Sequence, residues 1–338
     1  MSCNNALHRH QKGLEEKGYD LQMIFLMAPL VFVLTAWAQS ANPTSSKADE
    51  DQLRALVAKA PKASLSGSPL TVIPPTVGWE LGMVSWVAMD AKGLIYLLQR
   101  GDKVDPIVVL DRAGKVVKSW GKGLYVMPHS IRIDPAGNVW TTDAASSKVY
   151  KFSPTGKKLM EISVGGQPSP CTNNFCGTTD VAFGPGGRIF ITDGYANARI
   201  LEYSANGRKI REWGTKGGEP GQFRLPHSIV IDERNIIYVA DRENGRIQKF
   251  NLEGKYLGQL TGTGKTYSLT SRNHRMYAGA QPRNLPNGSP GWIFELDRDS
   301  GKILNYVEST RNHGIEITAS GEWLVSPGAN GPRMFRRN

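Results

Sequence analysis

Three segments of this chain are copies of one pattern, and that repetition restricts the fold more than any single motif. They are MPHSIRIDPAGNVWTTDAASSKVYKFSPTGK from Met127, GTTDVAFGPGGRIFITDGYANARILEYSANGR from Gly177 and LPHSIVIDERNIIYVADRENGRIQKFNLEGK from Leu225. Each reads as a strand, a tight turn with Gly or Asn, a second strand, a polar loop and a third strand. A further apolar stretch follows, such as KLMEISV or KYLGQL. Short runs alternating with period two between turn residues are the mark of antiparallel strands. Fainter copies occur in VSWVAMDAKGLIYLLQRGD, YSLTSRNHRMYAGA and HGIEITASGEWLVSPGA. Aligned on their first strands, the six copies carry Ser85, His129, Thr179, His227, Thr266 and His313 at the marker position, with spacings of 44, 50, 48, 39 and 47.

Four strands at each such interval, six times over, predict an all-β chain folded as a six-bladed β-propeller. The last copy stops at MFRRN, one strand short. SPLTVIP, residues 68–74, is expected to supply the outer strand of that blade and to close the ring. A doubly wound α/β fold is disfavoured, because no amphipathic helices separate the strands. One helical segment, residues 48–60, precedes the ring. TGTGKT at Thr261 is rejected as a phosphate loop: Gln259 stands where the motif needs glycine, and no helix follows.

The domain reading that results is a segment 1–38, a polar stretch 39–68 and a propeller 69–338. Residues 23–38, MIFLMAPLVFVLTAWA, are short for a membrane span and end in an A-x-A pattern. The expectation is a cleaved secretory signal and an exported protein, periplasmic or extracellular; retention as a membrane anchor stays open. Cleavage would remove Cys3 and leave Cys171 and Cys176, either paired as an exported chain would pair them or present as two free thiols. The 41 Lys and Arg outnumber the 30 Asp and Glu by 11. No long basic run accompanies that excess, so no nucleic-acid partner is expected; the charge is spread, with a few arginines recruited to a site.

Chemistry enters with the histidines. His129, His227 and His313 occupy the marker position in copies two, four and six, while Ser85, Thr179 and Thr266 hold it in copies one, three and five. Alternate blades of a six-bladed ring are related by about 120°, so three imidazoles would converge on the central axis. With one position left open, that is the ligand set of a catalytic zinc. His274 is off register and reads as a surface residue. Arg100 and Arg242 each fall 15 residues after their markers and Tyr195 falls 16 after Thr179, which puts all three at the same mouth. Two guanidinium groups there suit a carboxylate or an oxyanion. Tyr195, its pKa lowered by cationic surroundings, is expected to act as a base. Asp143, Asp193 and Asp241 recur at successive blades and read as structural, as do Arg199 and Arg246.

The third and fourth copies resemble NHL repeats. LQRGD, MPHSI, FCGTTDVAFGPGGRIFITDGYANARI and GQFRLPHSIVID with ADRENGRIQ make the chain similar to the peptidyl-α-hydroxyglycine α-amidating lyases. The similarity extends from about residue 80 onward and is strongest over 175–250. It implies a zinc-dependent split of a peptidyl-α-hydroxyglycine into a peptide amide and glyoxylate. It also implies zinc at His129, His227 and His313, a substrate-binding Arg100, an essential Tyr195 and a second active-site arginine, Arg242.

The chain departs from the family at several points. Arg311, Asn312 and Gly314 replace the family's Met-Pro before the third histidine and the Asp after it. That aspartate helps hold a structural calcium, which puts calcium in question. Ala196 replaces the family's disulfide partner of Cys176, a role Cys171 could take. The alternative reading is a non-catalytic NHL propeller binding a peptide or protein ligand. A lactonase-like enzyme would place carboxylates, not histidines, around its metal. Monomeric behaviour and a small peptide or α-hydroxyamide substrate complete the expectation, with no oxygenase domain within these 338 residues.

Overall fold

A computed structural model of the chain describes residues 43–166, 173–287, 289–309, 312–326 and 331–337. The apolar segment 23–38, with its signal-or-anchor reading, lies outside the described residues, as do Cys171 and Arg311. No helix among the described residues is long and apolar enough to cross a membrane.

Six four-stranded antiparallel sheets follow one another along the chain, giving the six blades that the repeats predict. Blade two is representative: Pro128–Ile133 is innermost, followed outward by Val139–Asp143, Lys148–Phe152 and Lys158–Ser163. The inner two strands are buried almost throughout, because each blade is packed between neighbours, and only the outer strand alternates towards solvent. The core is therefore a set of layers between blades. Between blades one and two, for example, Tyr96, Leu98 and Val109 meet Ile131, Val139 and Phe152.

The turn between the first two strands is built the same way in several blades. Asp134 Oδ1 accepts the backbone N–H groups of Ala136 and Asn138, and Asp134 Oδ2 accepts the indole N–H of Trp140. Asp232 repeats this with Arg234, Ile236 and Tyr238. A short side chain that satisfies its own turn frees the strands to pair. Asp143 and Asp241 brace the loops at the other end, accepting from Val126, Met127, Ala145 and Ser146 and from Arg224, Asn244 and Arg246. Arg199 likewise grips Asp193 and the Gly165 carbonyl, so these residues are structural.

Ring closure differs in detail from the expectation. Blade six consists of Gly314–Ile317, Trp323–Ser326 and Arg333–Arg337, and its outer strand is Leu65–Pro69, not residues 68–74. The more apolar stretch does not form that strand, because Leu70 and Val72 pack instead between blades six and one, and Ile73 bridges Lys115. The helix runs over Pro43–Lys59 and buries Leu53 and Val57 against Leu260, Trp292 and Leu296.

Candidate metal centre

The inner strands of blades one to five each open with a one-residue register shift, a β-bulge, while the inner strand of blade six pairs in continuous register. The shifts lie between Val84 and Trp86, Pro128 and Ile131, Thr178 and Asp180, Pro226 and Ser228, and Thr266 and Ser268. His129 and His227 thus sit on bulges, and His313 immediately precedes its strand. In blade five the register corrects the sequence reading. Thr266 pairs directly with Ala280, and the extra residue is Tyr267. The marker intervals around it become 267 − 227 = 40 and 313 − 267 = 46, rather than 39 and 47.

The three histidines meet. Their ring centroids are 4.9, 4.7 and 5.0 Å apart, and one ligand nitrogen from each lies within 4.8 Å of the others. Each Nδ1 is bonded to a backbone carbonyl of the next blade: His129 to Thr179 O (2.6 Å), His227 to Tyr267 O (2.6 Å) and His313 to Ser85 O (2.8 Å). A carbonyl only accepts, so Nδ1 carries the proton and Nε2 is left with its lone pair, the tautomer a metal requires. Burial, reinforced by the neighbouring His313 and Arg100, holds His129 well below the ordinary histidine pKa; burial, Arg242 and the other two rings do the same for His227. Both rings are therefore neutral at neutral pH, the form that can ligate a metal.

Tyr195 closes the triangle. Its hydroxyl lies 2.8 Å from His129 Nε2 and 3.3 Å from His227 Nε2. Gly194 allows this approach, since a Cβ there would sit 2.1 Å from the Pro226 carbonyl oxygen. The pKa of Tyr195 is raised, contrary to the expectation: burial outweighs the opposing pull of Arg242 and Arg100. Positive neighbours alone do not make this phenol a base.

Arg100 and Arg242 flank the same cavity of about 510 Å³, which Phe175, Tyr195, Tyr267 and His313 also line. Arg100 donates to Pro128 O and to Ser85 Oγ, bonding the neighbouring blade while still lining the cavity. Arg242 pairs with Glu243 Oε1 and stands 4.9 Å from the Tyr267 ring centroid. Tyr267, Glu243 and Phe175 escaped the sequence reading. For Tyr267 the signal lies one residue from the marker, in GKTYSL, and the bulge reveals it. His274 is exposed and bonded to Glu233, away from the cavity.

A family described as a 6-bladed beta-propeller matches residues 179–320. A Caenorhabditis elegans protein named as a probable peptidyl-alpha-hydroxyglycine alpha-amidating lyase is 30% identical over 73% of this chain and 80% of its own length. The chain belongs to the peptidyl-α-hydroxyglycine α-amidating lyase family. The mouse peptidyl-glycine alpha-amidating monooxygenase is 38% identical over 69% of this chain, but the chain spans only 27% of that protein. A solved streptogramin B lyase matches 81% of this chain and 98% of its own with a TM-score of 0.57 at 16% identity, a likeness of fold alone.

The two metals implied by the family resemblance fare differently. Three imidazoles whose Nδ1 atoms are held by carbonyls, leaving Nε2 for a ligand, fit a zinc. The calcium does not fit. Gly314 replaces its aspartate, and a Cβ at that position would lie 2.7 Å from Cγ of Trp86.

Proposed function

We propose that this chain is a zinc-dependent lyase that splits the C–N bond of a peptidyl-α-hydroxyglycine, or a related α-hydroxyamide, into a peptide amide and glyoxylate. The observation that carries this reading is the convergence of three carbonyl-anchored imidazoles with the Tyr195 hydroxyl at a cavity flanked by two arginines. When bound, zinc would supply Lewis acidity that favours loss of the α-hydroxyl proton. His129, His227 and His313 would hold it through Nε2.

Tyr195 Oη stands where it can take the hydroxyl proton and return it to the departing amide nitrogen. As the C–O bond becomes the aldehyde of glyoxylate, the electron pair of the C–N bond leaves with the nitrogen, and one proton moves through the phenol. Arg242 favours the ionised phenol, opposing the effect of burial. Arg100, braced by Ser85 Oγ and Pro128 O, places positive charge where a substrate carboxylate would bind. Cys171 and Cys176 are read as a pair in an exported, monomeric protein; non-reducing mass mapping tests the bond.

The test is glyoxylate release from a synthetic α-hydroxyglycine peptide by zinc-replete protein. Absence of turnover, with His227→Ala indistinguishable from wild type, rejects the proposal. The raised pKa of Tyr195 favours a second reading, a non-catalytic propeller that binds a peptide. Such a protein would purify without stoichiometric zinc.

A further inference from the structure

The channel below the three histidines is closed. Trp86, on the inner strand Val84–Met89 of blade one, is fully buried with its ring centroid 6.1 Å from His129, 6.4 Å from His227 and 5.6 Å from His313. Its indole N–H finds no acceptor among the described residues, so the ring is there for its packing surface. Three residues beyond His129 on the same strand, the Arg132 guanidinium lies 5.0 Å from the Trp86 ring centroid. A second cavity of about 520 Å³, lined by Arg132, Arg272 and Glu316, opens at the far mouth and ends on this group. The histidine cavity and the far cavity are separate.

Arg132 is bound from all around the hub. Its Nε donates to Asp180 Oδ1 at 3.0 Å, and its Nη2 donates to Asp180 Oδ2 at 2.6 Å, Ser228 Oγ at 3.2 Å and Leu269 O at 3.0 Å. One side chain of blade two therefore links blades three, four and five and stacks on blade one. Asp180 is saturated in turn: Oδ1 also accepts Val181 N–H, and Oδ2 also accepts Ser228 Oγ–H and Ile229 N–H. A carboxylate offers about four lone-pair sites, and five donors already point at this one. It has none left for a metal ion. The neighbouring position that could have supplied a second carboxylate is Gly314, filled by the Trp86 ring.

We propose that Arg132, clamped by Asp180 and faced by Trp86, is a built-in cation at the propeller hub that replaces an internal calcium and positions the floor under the three imidazoles. The pair is two-pronged and almost wholly out of water, the geometry in which removing one partner leaves an uncompensated buried charge. As positioning residues, Arg132 and Trp86 act on the metal centre only through the histidine rings. In that respect the inference rests on the metal-centre reading above; its calcium and folding arms do not.

The experiment combines thermal unfolding of the full chain, with and without millimolar calcium, and visible absorption of the cobalt-substituted protein. Calcium is expected to leave the wild-type Tm unchanged. Arg132→Met is expected to lower it by about 10 °C, because Asp180 is left buried and unpaired. Arg132→Met with Asp180→Asn should recover most of that loss, while its cobalt d–d bands shift because the floor under the rings has moved. A saturable rise in wild-type Tm with calcium overturns the proposal. So does an unaltered Tm for Arg132→Met, or a wild-type cobalt spectrum in the double variant. If the single variant does not fold, the double variant and the calcium titration still decide. Failure of wild type to bind cobalt would sink the metal centre and leave the melting series to judge the hub cation; failure to release glyoxylate would touch neither.

Discussion

The even and odd blades share one backbone device and use it in opposite ways. Blades two and four place a histidine on the bulge, blade six places one just before its inner strand, and the three rings meet. Blades one, three and five place Ser85, Thr179 and Tyr267 on the bulge, and their carbonyl oxygens hold the Nδ1 protons of the rings next door. The ligand and its brace are one repeat unit, read alternately from the side chain and from the backbone. A metal centre built this way has a brace that side-chain substitution cannot remove, so its weak points should lie almost entirely on the even blades and on what reaches over them.

The most severe test is His227→Ala. Glyoxylate release should fall to background and zinc content should drop, whereas prolonged dialysis against a chelator should abolish turnover of wild type reversibly. Tyr195→Phe comes next, with kcat reduced by about 10²- to 10⁴-fold and zinc content unchanged, since the phenol is proposed to be a proton carrier and not a ligand. On the odd side, Tyr267→Leu should lower kcat/KM by roughly 10-fold, because it removes the ring against which Arg242 rests but keeps the carbonyl that holds His227. The mildest is Thr179→Ala. Its hydroxyl bonds Thr192 Oγ1 and Pro226 O, so about 1 kcal/mol of stability should be lost in denaturant titration. Zinc content and turnover should hold, because His129 is braced by the Thr179 backbone. Loss of zinc from Thr179→Ala would show that the odd blades are more than braces.

Much of this was legible because blades are local. A turn aspartate, an alternating strand and a polar loop repeat within one stretch of chain, and three histidines in register imply convergence by symmetry alone. The sequence marker of blade five falls one residue early, on Thr266, because that threonine imitates the one at 179, and only the pairing of Thr266 with Ala280 shows that Tyr267 bulges. The closing strand was misplaced for a similar reason. Residues 70–73 look more strand-like than Leu65–Pro69, yet the apolar ones serve a layer between blades. Tyr195 lines the cavity with Arg100 and Arg242, but its pKa moves opposite to the sequence expectation, since the weight of burial against two guanidinium groups depends on depth.

Repetition and register alone determined the six blades, the closed ring and the three histidines brought to its axis, because both follow from periodicity along the chain. Only the tertiary structure decided which residue bulges in blade five, that Trp86 and Arg132 block the hub, and that Gly314 leaves no room for a carboxylate. Those outcomes depend on side chains and backbone of different blades competing for one small volume, and no spacing within a single blade encodes who wins it.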